Sequence, residues 1–466
     1  MKTHPRTSRW TSRIGNAVGW SLIVLIATTI PSLPAQDSLQ APADTEEAAE
    51  SETSADATPA GADLQAPDKI RDDTEIIETT LAEMPDEIAE AARQAYAQFM
   101  STKTELREQL AELREIQIRY MNDLDRSPSA KKSYQQLRQT VATRLRAHFD
   151  EAIQVIRLLP SSEAASYLVT MVQHLYEIDD YTEASYEAAT RLLDLGQRYA
   201  YLFLMGARSG VVTGRFEEAK RIYDSIDPSA LSETDQRLVM SMDIIEQQYK
   251  RDLELRQQID ESSLPTVELE TTKGRVTITL FTDSAPSAAE HFMRLVEDGF
   301  YDGLDFAQVL DGVLALTGDP TNDGRGNSGN FLIDEHDREN ARPALRGSVI
   351  MAKMPLQPGE FVPNSGSSQF AIALLPLPSV ASTQTVFGQV TDGMHVISSL
   401  RRVDPSEKKS EKEIQFPPDA ILTATVVQRG PELPEPNYVD IQAELAKARA
   451  AGLIAPLKTS PSETRP

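Results

Sequence analysis

The sequence predicts a multidomain chain of two fold classes. An all-α region of helical hairpins runs over residues 75–262, and a closed antiparallel β-barrel with two capping helices follows over 264–430. Three observations carry this. Apolar residues in the first region recur at three-, four- and seven-residue steps, the period of one helix face. A short motif returns there after 35 residues. At Ser262-Ser263-Leu264-Pro265 the period changes to two, the signature of strands.

The chain has 466 residues, with 46 Lys and Arg against 71 Asp and Glu, a net charge of -25. That balance argues against nucleic acid or anionic lipid as a partner, because phosphate contacts need clustered cations. Cysteine is absent, which removes disulfides, thiolate catalysis and zinc-thiolate sites. Lys2, Arg6, Arg9 and Arg13 precede an apolar stretch from Ala17 to Ile30, and Leu33-Pro34-Ala35 follows. This is the order of a secretory signal over residues 1–35, and the stretch is shorter than the ~20 residues that span a bilayer. An uncleaved N-terminal anchor is the alternative, and contact with a membrane is expected only in that case. Export to the periplasm or cell envelope is expected either way. Residues 36–74 are rich in Ala, Ser, Thr, Pro, Asp and Glu, too polar to offset chain entropy by burial, and read as a disordered acidic linker.

In the helical region Phe99, Leu106, Leu110, Leu113, Tyr120 and Leu124 form a stripe on one long helix, which Ser127-Pro128-Ser129 breaks. A stripe of this kind faces a core or a second coiled-coil strand. Asp180-Tyr181-Thr182-Glu183-Ala184 and Arg215-Phe216-Glu217-Glu218-Ala219 are the two copies of the repeated motif. Their spacing is close to the tetratricopeptide period, and Gly214, Phe216, Ala219 and Tyr223 fit that repeat's turn and second helix. The segment resembles tetratricopeptide hairpins, with an irregular helical bundle as the alternative; a protein docking surface is what it would supply.

In the strand region Thr266–Thr271 and Arg275–Phe281 alternate around Lys273-Gly274, a hairpin. Ala285-Pro286 opens a helix with Ala288, Phe292 and Leu295 on one face and Gly299 past its end. Short strands continue to Ile421–Gln428, with a second helix over Met394–Leu400. Many short strands and two helices suggest a closed barrel plugged at its ends. The Pro-rich tail, 431–466, contains one short helix over Val439–Ala450.

A series of motifs then gives this region a family. They are Ala285-Pro286-Ser287-Ala288-Ala289 before His291-Phe292, Gly299-Phe300-Tyr301-Asp302-Gly303 leading to Phe306, and Gly318-Asp319-Pro320-Thr321 before Gly324-Arg325-Gly326. Arg346-Gly347-Ser348-Val349-Ile350-Met351-Ala352, Ser368-Gln369-Phe370 and Val386-Phe387-Gly388-Gln389-Val390 complete it. In this order they resemble the cyclophilin-type peptidyl-prolyl cis-trans isomerases, over roughly a third of the chain. The resemblance implies rotation about X-Pro bonds, whose barrier of about 20 kcal/mol comes from amide resonance. Such an enzyme needs an apolar pocket, a grip on the flanking backbone and a donor aimed at the twisting amide. It implies no cofactor.

The family uses an arginine as that donor. Here Gln308 holds its position, and Ala307 stands where the family has histidine. The pocket positions, aromatic or long in the family, match Val313, Leu314 and Ala371, and Leu316 replaces a glutamine. Val380 matches a leucine, Gln384 a histidine, and Ser379 a frequent tryptophan. Gln369 is kept, to hold either substrate backbone or a barrel loop. Met354–Val362 is an insertion, read as a rim loop, and Lys353 and Lys408-Lys409 read as solvated lysines. The six histidines lack ligand spacing and Gly324-Arg325-Gly326 does not precede a helix, so neither a metal nor a phosphate ligand is expected. Three functions follow: an exported isomerase of weakened activity acting on proline-containing polypeptides, a non-catalytic polypeptide-binding scaffold, or a holdase using the helical region.

Overall fold

The computed structural model describes residues 73–453 except 123, 358–359 and 406–416. The N-terminal signal, most of the acidic linker and Lys408-Lys409 lie outside the described residues. Contacts divide the chain into two compact units between Ala165 and Ser166.

The first unit holds α1 (Asp73–Ala82), α2 (Asp86–Met121) and α3 (Pro128–Leu158). Ser127 starts α3 by accepting the Ala130 N–H, and Pro128 occupies the first turn, where its missing N–H costs nothing. Phe99, Leu106, Leu110 and Leu113 are buried along α2; Leu106 and Leu110 pack on Val141 and Leu145 of α3. The stripe is therefore covered within the chain. It ends earlier than its spacing suggests, since Leu124 lies beyond α2 and is 70% exposed.

The second unit begins within α4 (Ser162–Glu177) and continues through α5 (Glu183–Asp194), α6 (Ala200–Thr213), α7 (Phe216–Asp224) and α8 (Glu233–Gln257). Each repeated motif leads into the second helix of a hairpin, α5 or α7. Gly214 ends α6 at φ +81, and Phe216, Ala219 and Tyr223 are the buried face of α7. Arg208 of α6 binds both oxygens of Asp235 on α8, at 2.7 and 2.8 Å, with Tyr181 and Tyr223 completing the buried cluster.

Eight strands form one antiparallel sheet in the order β11-β1-β2-β10-β6-β9-β4-β3. These are β1 (Thr266–Thr271), β2 (Arg275–Leu280), β3 (Gln308–Leu310), β4 (Leu314–Thr317), β6 (Ser348–Met351), β9 (Phe370–Ala373), β10 (Val386–Asp392) and β11 (Ile421–Gln428). The sheet curls so that its edges meet: Asp305 bridges Ala420, and backbone bonds of 2.8 Å run from Gly303 and Phe306 to Ile421 and Asp419. Two helices accompany it, α9 (Pro286–Glu297) and α10 (Met394–Ser398). Alternation along the strands sends Val267, Leu269, Val276, Ile278 and Leu280 into a core where Phe292 of α9 meets Tyr301, Phe370 and Phe387 at 5.1–5.3 Å.

The insertion is a hairpin of its own, β7 (Pro355–Gln357) with β8 (Glu360–Phe361). The tail differs from its sequence reading. Tyr438–Val439 is a strand, β12, paired with β5 (Phe331–Leu332), and the helix α11 covers Ile441–Ala450. Arg294 holds Glu435 and the Asn364 side chain donates to Glu444, so the tail packs on the sheet domain through Ala450.

Candidate functional site

Strand register assembles the site. Gln308 on β3 pairs with Leu316 on β4, Leu316 with Ala371 on β9, and Ala371 with Ile350 on β6. Residues directly opposite in antiparallel strands project to one face. Gln308, Leu316, Ala371 and Ile350 therefore form one row, with Leu314 and Ala373 a step along. The alternate row, Val309, Ala315, Ile372 and Val349, is at most 1% exposed and belongs to the core. The candidate residues thus lie on the face turned away from that core.

A second apolar cluster underlies this face. Ile350, Ala373, Leu377, Val386, Phe281, Leu264 and Ala344 are its buried members, and Val313, Val380, Ala381 and Ile259 pack on it. Ala371 and Gln384 are buried beneath the surface, whereas Gln308, Val313, Leu314, Leu316 and Val380 remain partly accessible. The arrangement is an apolar surface with one accessible neutral amide at its edge. No hydrogen bond ties the Gln308 side chain to another described residue. Ala307 beside it offers no polar atom beyond its backbone.

Gln369 has committed its amide nitrogen. Nε2 donates to the Gly326 carbonyl at 2.8 Å and the Gly324 carbonyl at 3.3 Å, fixing the Thr321–Gly326 loop over β9. Gly318 opens that loop at φ +91, and a Cβ there would sit 2.2 Å from the Ser368 carbonyl, so only glycine fits.

Lys353 is not a solvated lysine. Its ammonium donates to Asp334 at 2.6 Å and to the Thr383 carbonyl at 2.9 Å, with a side chain only 5% exposed. A carboxylate and a carbonyl at bonding distance outweigh hydration of the ammonium, so the chain turns inward and ties the strand after β6 to the loop before β10. Its neighbour in sequence to Asp334, Glu335, caps α9 by accepting the Ser287 and Ala288 N–H groups at 3.2 and 3.0 Å; burial raises its pKa.

Residue spacing carries no sign of how the helices meet this sheet. Asp179, in the left-handed region at φ +58, accepts the Gly312 N–H and an Arg402 N–H, both at 2.8 Å. Asp180 pairs with the buried Arg346 at 3.3 Å. From α8, Arg237 donates to the Gly312 carbonyl at 2.8 Å, Gln248 to the Pro378 carbonyl at 3.2 Å, and Asp252 binds the fully buried Arg342 at 3.3 Å. Arg237 is thus an arginine that reaches the β3–β4 hairpin, but it grips the tip at Gly312, whereas Gln308 sits two register steps away. A spacing rule cannot anticipate these contacts, since each joins residues 75 or more positions apart.

Comparison with known proteins gives the sheet domain a family. The family model for cyclophilin type peptidyl-prolyl cis-trans isomerase/CLD matches residues 266–426. The Schizosaccharomyces pombe peptidyl-prolyl cis-trans isomerase ppi1 is 33% identical over 152 residues, 32% of this chain and 94% of the relative. The chain belongs to the cyclophilin-type peptidyl-prolyl isomerase family. A Synechococcus elongatus peptidyl-prolyl cis-trans isomerase is 37% identical over 138 residues, 29% of this chain and 88% of that relative. Among solved structures, a Cryptosporidium parvum cyclophilin type isomerase is similar at 24% identity and a TM-score of 0.30, covering 35% of this chain and 97% of its own. The cyclophilin match ends where the tail begins, before the β12 strand that packs on it.

Proposed function

We propose that the cyclophilin domain grips proline-containing polypeptide in the groove of Val313, Leu314, Leu316, Ala371, Val380 and Gln384, and turns X-Pro bonds slowly. One observation carries this reading: Gln308 is the accessible donor at the groove's edge, neutral and paired across the sheet with Leu316. A neutral hydrogen bond is roughly half as strong as a charge-assisted one. Loss of a preorganised transition-state donor typically lowers a rate by about 100- to 1,000-fold. Replacing an aromatic pocket wall by Val313 and Ala371 removes about 1 kcal/mol of ring contact beyond area. The groove keeps its apolar floor, so binding outlasts turnover.

The N-terminal sequence supports export to the periplasm or cell envelope, and the paired helical hairpins support tetratricopeptide-like docking of client proteins. The test is isomerisation of an Ala-Pro reporter peptide by the full chain and by Gln308→Arg. Weak turnover that rises in the variant supports the proposal. Absence of catalysis in both proteins ends the isomerase reading.

A second reading, a non-catalytic polypeptide-binding scaffold, is favoured by the ion pairs that fasten the helices to the sheet domain at Asp179, Asp180 and Asp252. It predicts that peptide binds while neither protein isomerises it.

A further inference from the structure

The α8 helix touches the sheet domain along one stripe. Thr234 and Arg237 meet Gly312, Gln248 meets Pro378, Arg251 donates to the Glu339 carbonyl at 2.6 Å, and Asp252 binds Arg342. At 100° per residue, these five positions occupy an arc of about 100° on the helix. Ile244 falls inside that arc, about 20° from Arg237 and 40° from Gln248. It is nevertheless 52% exposed, and Met240, one turn back on its flank, is 86% exposed. A residue that faces its neighbour and still meets solvent stands over a gap.

The sheet side of that gap is defined by the two anchors. Gly312 precedes Val313, and Pro378 lies two residues before Val380; both valines are half-buried members of the cluster under the groove. Ile259, just past the end of α8, joins the same cluster. The helix segment that carries Ile244 is therefore anchored at both ends beside groove residues.

We infer that Ile244 and Met240 form an apolar lip of the groove and receive a large apolar side chain next to the proline of the bound segment. This rests on the peptide-binding reading proposed above. The span from Arg237 to Gln248 rises about 16 Å, the length of about five extended residues, so the lip matches a short extended segment. A second copy of this chain is a poor occupant, because a net charge of -25 opposes self-association.

The experiment uses the full chain and fluorescent peptides, one with alanine on both sides of proline and two with leucine before or after it, read by anisotropy. One of the leucine peptides is expected to bind about five- to tenfold tighter than the alanine peptide, the gain from partial burial of one such side chain. Ile244→Asp should erase that preference, while Ile244→Met keeps it. Equal affinity of all three peptides for the wild type, or an unchanged preference in Ile244→Asp, overturns the lip and leaves the groove standing. Failure of the wild type to bind the alanine peptide or either leucine peptide overturns the groove and the lip together. A dimer in sedimentation that Ile244→Asp dissolves also overturns the inference, because the lip is then a copy-to-copy contact.

Discussion

At Gln308 the question of activity reduces to one charge. The side chain is accessible, unbonded to other described residues and flanked across the sheet by Leu316, so an arginine there meets no cation in the strand register. Gln308→Arg is expected to raise kcat/KM for an Ala-Pro peptide by about 100-fold, with KM little changed, because the donor acts on the twisted amide rather than the ground state. Progress curves on the purified variant check this, and an unchanged kcat/KM refutes it. Ala371 behaves differently. It is buried between Leu316 and Ile350, so restoring an aromatic ring drives it into occupied space. Ala371→Phe should cost about 1–3 kcal/mol in urea unfolding and give no gain in turnover. Motif order alone proposes Gln308 and Ala371 for two of the family's functional positions. That one position can be reversed singly and the other cannot was not legible there, because the bulk of Ile350 comes from a strand 21 residues away in sequence.

At the scale of elements, the tail holds α9 through a neutral imidazole. His291 Nδ1 lies 3.1 Å from the Tyr438 hydroxyl and Nε2 3.4 Å from Ser328 Oγ; burial, with Arg294 beside it, pushes the pKa down to about 4. The unfolded imidazole takes up its proton near 6.5 and the folded one only near 4. Stability is therefore lost as pH falls from 6.5 to 4, by up to about 3 kcal/mol, and this group has no effect above 6.5. Comparing unfolding free energies at pH 7 and 4.5, His291→Gln should show a smaller acid loss than the wild type; an identical loss rules the mechanism out. The elements themselves were read well where local chemistry sets them. Ser127-Pro128, Ala285-Pro286 and Lys273-Gly274 all begin or turn elements as their residues dictate. The tail's strand was missed because Tyr438–Val439 is too short to show a period, and its partner strand is two residues long.

Across the second unit, three carboxylates on helices or their turns, Asp179, Asp180 and Asp252, bind Arg402, Arg346 and Arg342 of the sheet domain. Composition and periodicity separate helices from strands at Ser262–Pro265, but they carry no information on pairing between such distant residues. The consequence is cooperative: helices α5–α8 and the sheet should open together. Arg342 is the most sensitive point, with a side chain fully buried, its guanidinium 4.6 Å from the Phe281 ring, and Asp252 and Asp283 as its carboxylates. Asp252→Ala strips it of the closer one and should cost up to about 3 kcal/mol, because the buried cation then keeps only the more distant Asp283. Asp252→Ala with Arg342→Met removes both charges and should recover most of that loss, since the thioether can fill the space without needing a counter-ion. Hydrogen exchange on the full chain separates the outcomes. In the wild type, amides of α8 and of β1 and β2 should exchange with one common opening free energy, and in Asp252→Ala those of α8 should open first. If α8 and the strands already open independently in the wild type, the helices are an attached module rather than part of one folded body, and the α8 lip over the groove loses its fixed position.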